Sequence, residues 1–260
     1  MTFGPVGIRC PDHSGKARGA TKVVQNVQRS TSRNPGIVTM TLIGINVGIY
    51  FLQLAGGAPV SGNGGWIFEH GALVMRRIAS DGQLVGLAEG EWWRLITAAF
   101  LHYGPIHLGL NMLALWWIGR PLESYLGPFR YLLLYLVSGL AGSAGALLMT
   151  PNGVTVGASG AIFGILGAAI VLERQGNYVL GGSALPLLIV NLAFTLAVPG
   201  ISIGGHLGGL TAGALCILVL SRFGKGSAAY SRIDVLSIVS LVAIGFLSVA
   251  VAYWKVKGYT

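Results

Sequence analysis

Charge is what this chain has least of. Asp, Glu, Lys and Arg make up only 10% of its 260 residues, against roughly 25% in a soluble globular protein. Hydrophobic residues make up 53%, and the mean hydropathy is +0.70. So little polar surface cannot cover a fold in water, which excludes a soluble domain. Cysteine is nearly absent: Cys10 lies in a basic N-terminal stretch and Cys216 in an apolar run, too few and too far apart in character for a disulfide framework. The eight carboxylates, Asp12, Glu69, Asp81, Glu89, Glu91, Glu123, Glu173 and Asp234, all fall outside the long apolar runs. No acid is therefore placed to complete a buried catalytic triad, and the carboxylates usual in a transport path are missing. Without a His-Glu-x2-His there is no membrane metalloprotease signature either. Glycine, by contrast, is abundant at 41 residues with no collagen-like period, and in an apolar chain its use is close helix packing. No internal repeat is evident.

Because an ion at the bilayer centre costs at least about 2.5 kcal/mol, the sparse charges act as punctuation. Uncharged gaps run from Asn34 to Phe68, Leu95 to Gly119, Tyr131 to Leu172, Gln175 to Ser221 and Val235 to Trp254. A spanning helix needs about 20 apolar residues, so the first, second and fifth gaps hold one helix each. The third and fourth hold two each, divided by Pro151-Asn152-Gly153 and Val198-Pro199-Gly200. The expectation is seven spans in an all-α bundle.

A net charge of +9 could suggest nucleic acid, but the cations follow membrane topology instead. With the N-terminus cytoplasmic, that side carries Arg9, Lys16, Arg18, Lys22, Arg29, Arg33, Arg120, Arg130, Arg174, Arg222, Lys225 and Arg232, and the opposite side Arg76, Arg77, Arg94, Lys255 and Lys257. This asymmetry predicts N-in, C-out by the positive-inside rule. No basic-aromatic platform stands outside the membrane, so nucleic acid is not an expected partner. The stretch from about Ala55 to Trp93, with Trp66, Phe68, Trp92 and Trp93, is too long for a mere connection and suits the outer interface.

Polar residues inside the apolar gaps are the candidates for function, since at membrane depth they must find partners or line a cavity. They are His102, His107, Asn111, Ser159 and His206. Gly157 favours a loop before Ser159, which then falls at a helix start, where free N–H groups favour an anion. Two small-residue stripes, Gly160-Gly164-Ala168 and Gly205-Gly209-Gly213, would let their helices approach closely and bring His206 beside Ser159. A neutral imidazole in reach is the commonest activator of a serine hydroxyl, and Phe163, one turn after the serine, is placed to orient it by packing. His107 and Asn111, four residues apart, share a helix face and could aim an imidazole and an amide at a developing oxyanion. His102, before Gly104-Pro105, suits a structural role.

Taken in order, Glu91-Trp92-Trp93-Arg94, the His102, His107, Asn111 series, Gly119-x3-Glu123-x3-Gly127, Gly157-x-Ser159-Gly160 and Gly205-His206-x2-Gly209 resemble the rhomboid family of intramembrane serine proteases. The resemblance covers about Gly36 to Phe223. It implies a six-helix catalytic core over 35–223; the residues themselves add a cytoplasmic polar and basic tail over 1–34 and a linker with a seventh transmembrane helix over 224–260. It implies Ser159 as nucleophile, His206 as general base and acid, and an oxyanion hole of His107, Asn111 and the Ser159 N–H. Trp93-Arg94 would belong to the long first loop, and Glu123 would anchor the turn after the second helix. The expected partners are transmembrane protein substrates and the lipid bilayer of the cell membrane, with no cofactor. Val6 to His13 is similar to the end of a zinc-ribbon leader, yet only Cys10 and His13 could ligate, half the usual set, so no metal is assigned. A catalytically inactive relative that binds transmembrane clients, or a transporter lined by His102, His107 and His206, are the competing readings.

Overall fold

A computed structural model of the chain describes residues 2–4, 7–9, 36–223 and 235–259. The rest of the polar tail, with Cys10 and His13, and the linker over 224–234 lie outside the described residues. Within the tail, Thr2–Gly4 (β1) and Gly7–Arg9 (β2) pair as an antiparallel hairpin.

The fold is a polytopic helical bundle. Its helices are α1 (Ile37–Ala55), α2 (Gly65–Gly71), α3 (Arg94–Thr97), α4 (Gly104–Ala114), α5 (Arg120–Leu126), α6 (Pro128–Met149), α7 (Ser159–Arg174), α8 (Ala184–Ala197), α9 (Ile203–Phe223) and α10 (Val235–Lys257). A small hairpin, Arg77–Ile78 (β3) with Leu84–Val85 (β4), lies between α2 and α3. Among the described residues, four stretches are long and apolar enough to cross a membrane alone: Ile37–Ala55, Pro128–Met149, Ile203–Ser221 and Val235–Lys257. The other three expected spans are built differently. The second is α4 and α5 joined by a π turn over Leu115–Gly119. The fourth and fifth, α7 and α8, have 16 and 14 residues, because the 150–158 and 198–202 segments spend their length as loop.

At the centre α6, α7 and α9 pack against one another, and glycine decides how closely. A Cβ on Gly209 would overlap the Gly160 carbonyl oxygen of α7, and one on Gly213 the Gly164 carbonyl oxygen. On the other flank of α9, a Cβ on Gly208 would overlap the Ala141 carbonyl oxygen of α6. The three helices converge at Gly142, where a Cβ would stand 3.1 Å from the Gly205 oxygen and 3.2 Å from the Gly160 Cα. Backbone thus meets backbone without side chains between, the packing that small residues allow where lipid removes the hydrophobic drive. Helix α10 lies along α6.

The segment between α1 and α4 folds into a cap with its own core of Leu73, Met75, Leu87 and Leu95, completed by Ala144 and Leu147 of α6 and Ala252 and Val256 of α10. Its organiser is Arg94, which is fully buried. Its guanidinium donates to the Glu69 and Ala72 carbonyls at 2.8 and 2.6 Å and pairs with Glu91 at 2.6 Å. Its rigid planar fork of five donors ties several chain segments at once in fixed directions, where an ammonium offers only three rotatable donors.

Glu123 does more than the sequence reading expects. Its backbone carbonyl accepts the Gly127 N–H in the turn that follows at 2.8 Å, while its carboxylate accepts from the N–H groups of Val38 and Thr39 at 2.9 and 2.8 Å and from the Thr39 hydroxyl at 2.7 Å. It caps the start of α1, where unpaired N–H groups and the helix dipole favour an anion. The partner lies 84 residues away in sequence, so local spacing carried no sign of it.

The glycine contacts make a direct prediction. Gly213→Ala forces a methyl into the α7 backbone and should destabilise the bundle by about 1–3 kcal/mol, the usual cost of overpacking. Gly44→Ala, at a position with nothing within 4 Å, should be close to neutral. Unfolding of the two variants in detergent checks this; equal stabilities would contradict the packing described.

Candidate active site

Ser159 is the first residue of α7, and the chain before it is pinned to the cap. Leu73 and Thr155 exchange N–H···O bonds at 3.0 Å, and the Gly157 N–H donates to the Ala98 carbonyl at 2.9 Å. The Tyr103 hydroxyl donates to the Val154 carbonyl at 3.3 Å. Lacking lipid-exposed helix, this stretch meets its backbone needs inside the protein, as it must at membrane depth. Ser159 is half-buried, and its N–H, in the first turn of a helix, has no intrahelical acceptor.

From α9, His206 reaches the serine. Its Nε2 lies 2.8 Å from Ser159 Oγ, and the ring is almost wholly buried. Phe163 covers the imidazole face at a centroid separation of 4.0 Å and an interplanar angle of 13°. On the far edge of the ring, Nδ1 is 2.7 Å from the hydroxyl of Thr195, on α8. The sequence reading passed over Thr195. A lone threonine in an apolar helix is ordinarily satisfied by its own i−4 carbonyl, and Thr195 does donate to Asn191 at 2.7 Å. The only available signal was that its hydroxyl oxygen keeps acceptor capacity after that bond is made.

His107, on α4, approaches from the other side. Its Nδ1 accepts the Tyr103 N–H at 3.2 Å, so in the neutral ring the proton sits on Nε2. That Nε2 faces Gly157. A Cβ built there would stand 3.0 Å from His107 Nε2 and 3.8 Å from Ser159 Oγ, so the bare glycine leaves an atom-sized space between a donor and the serine oxygen. Gly157 also has φ +123°, which L side chains rarely adopt.

Asn111 is buried one turn further along, and its amide donates to the His107 carbonyl at 2.9 Å. The described contacts bring Ser159, His206, Phe163, Gly157 and His107 together; none joins Asn111 to Ser159 or His206 directly. His102 is fully buried beside His107, with ring centroids 5.1 Å apart, and no described hydrogen bond or ring contact joins it to Ser159 or His206. Its backbone N–H donates to Gln53 of α1 at 3.2 Å, tying the start of α4 to the first helix. Among the described residues, no three His, Cys, Asp or Glu side chains form a group able to hold a metal.

Apolar helices packed around a serine–imidazole contact define a multi-pass membrane protein. The chain belongs to the rhomboid family: the Rhomboid domain matches residues 89–223. It is similar to Rhomboid protease GluP of Bacillus subtilis, 38% identical over 165 residues, covering 62% of this chain and 32% of that protein. YdcA of the same organism is 38% identical over 149 residues, 55% of this chain and 75% of YdcA. RHOMBOID-like protein 1 of Arabidopsis thaliana is 44% identical over 130 residues, 48% of this chain and 33% of that protein. The matched region therefore spans only about a third of GluP and of the plant relative.

Gly157→Ala tests the space beside the serine. The methyl would press on the His107 ring at 2.8 Å from Cε1 and occupy an unfavourable backbone region, so a loss of about 1–3 kcal/mol is expected. Thermal unfolding measures it, and a variant as stable as the wild type would show that the ring and loop yield freely.

Proposed function

We propose that the chain is an intramembrane serine endopeptidase that hydrolyses peptide bonds in or near transmembrane segments of client proteins, in the cell membrane. The observation that carries this reading is the 2.8 Å approach of His206 Nε2 to Ser159 Oγ. Among the described residues no carboxylate bonds to the ring, whose Nδ1 meets the Thr195 hydroxyl instead, so the chemistry is that of a two-residue unit.

In the acylation step Ser159 Oγ attacks the scissile carbonyl carbon while its proton passes to His206 Nε2. The oxyanion that forms is held by the Ser159 N–H at the helix start, by His107 Nε2–H across the space left by Gly157, and by Asn111. These groups act where charge develops rather than on the bound substrate. His206 then returns the proton to the leaving amine, and a water activated by the same imidazole releases the acyl group. His102 and Phe163 support the site, the first by bracing the start of α4 and the second by holding the imidazole plane. The depth of the serine follows from helix length: the 16 residues of α7 rise about 24 Å, short of a hydrocarbon core of about 30 Å. A client bond must therefore come down to Ser159 below the membrane surface.

The topology belongs to the same reading. Six helices over 35–223 form the catalytic core, and α10 is an added seventh span, with the N-terminus cytoplasmic and the C-terminus outside. Supporting this, the Tyr259 hydroxyl donates to Asn152 at 3.0 Å, and Trp92 of the cap packs on Tyr253 with ring centroids 5.8 Å apart. The chain's end thus meets the cap, opposite the Glu123 end where α1 begins.

Ser159→Ala and His206→Ala should each abolish cleavage of a model transmembrane substrate by the purified protein while folding persists, because a two-residue unit fails when either member is lost. Residual cleavage by Ser159→Ala in a contaminant-free preparation would overturn the mechanism. Reporters fused to the two ends should lie on opposite sides of the membrane, the C-terminal one outside; a cytoplasmic C-terminus would refute the seven-span topology.

A further inference from the structure

Neutral imidazole carries one proton on one of two nitrogens, and only one choice lets it act as a base toward Ser159. The contacts around His206 select it. Thr195 Oγ1 has a single proton and two neighbours, the Asn191 carbonyl oxygen at 2.7 Å and His206 Nδ1 at 2.7 Å. The carbonyl can only accept. If the hydroxyl donates to it, Nδ1 must carry the imidazole proton and donate to Thr195, which leaves the Nε2 lone pair facing Ser159. Every proton in the chain Ser159, His206, Thr195, Asn191 then has an acceptor. With the opposite tautomer, Thr195 would donate to Nδ1 and Nε2–H would point at Ser159 Oγ. The serine proton would then have no acceptor among the described contacts, since His206 is the only side-chain partner of Ser159 Oγ. Ser159 is half-buried, so its unmet proton carries part of the cost; Thr195, only 2% exposed, keeps its hydroxyl bond to the Asn191 carbonyl in the first arrangement alone.

We propose that the Thr195 hydroxyl holds His206 in the Nδ1–H tautomer, so that Nε2 is presented to Ser159 as a proton acceptor. Thr195 is thus a positioning residue, filling by a neutral hydroxyl the place that a carboxylate takes in a triad. Phe163 fixes the plane of the ring and Thr195 fixes its proton. The inference rests on the proposed protease reading for its consequence in catalysis, but the tautomer itself does not depend on activity.

The test uses the full chain in detergent, labelled with 15N-histidine. Long-range 1H–15N correlations distinguish the two neutral tautomers, and the His206 signals are identified by their loss in His206→Ala. Wild type and Thr195→Ser should show His206 protonated on Nδ1. Thr195→Val, similar in shape but without the hydroxyl, should shift the ring towards Nε2–H. Its kcat on a transmembrane substrate should fall about tenfold, the scale of one neutral hydrogen bond, with KM little changed. Thr195→Ser should restore kcat to within about threefold of wild type on the same scale. An Nε2–H tautomer in the wild type overturns the proposal whether or not the valine variant folds. So does a Thr195→Val protein that keeps the wild-type tautomer or the wild-type kcat, or a serine variant as impaired as the valine one. A wild type that cleaves no client would defeat the protease reading, while the spectra would still decide the role of Thr195.

Discussion

The close approach of two helix backbones is the constraint on which the rest of this structure depends. Ser159 and His206 stand on α7 and α9, and the separation of their reactive atoms, 2.8 Å, is set by how nearly those helices meet. At Gly160 against Gly209 and Gly164 against Gly213 there is no room for a single added carbon. In lipid, where burying apolar side chains between helices gains little, van der Waals contact between bare backbones is a principal source of affinity. The same contacts that stabilise the bundle therefore fix the geometry of the site.

Around that pair the molecule solves a problem of polar burial. A serine at a helix start needs a loop before it, and loop backbone at membrane depth must be satisfied by protein. The cap supplies the partners through Leu73 and Ala98, and the cap is itself held by Arg94, whose buried guanidinium pairs with Glu91 and ties down two carbonyls. Breaking such a pair strands a buried charge and typically costs about 3–5 kcal/mol, so the cap is committed to one arrangement. Helix α10 joins it from the far end of the chain through Ala252 and Val256.

Much of this was legible in the residues, and the illegible parts share a cause. Apolar gaps between charges located the helices because the cost of a charge in hydrocarbon is large and local. The small-residue stripes announced the α7–α9 contact for a similar reason, as did the polar residues stranded in apolar runs. What depends on distant partners was hidden. Nothing near Glu123 says that it caps a helix 84 residues away. The π turn over Leu115–Gly119 leaves the apolar pattern of Leu115 to Ile118 unchanged, while Gly119 lets the Tyr131 hydroxyl approach the helix where a Cβ would overlap it. Thr195 resembles any threonine that bonds back to its own helix, and only the position of His206 gives its second lone pair a use.

The central claim is that His206 makes Ser159 nucleophilic, and covalent labelling by a fluorophosphonate tests it most directly, since the reagent needs an activated serine and no client. Peptide mapping of the full chain after treatment in detergent should place the adduct on Ser159, with labelling lost in His206→Ala. An unmodified Ser159 under conditions that label a control serine hydrolase, or equal labelling in His206→Ala, would contradict the account.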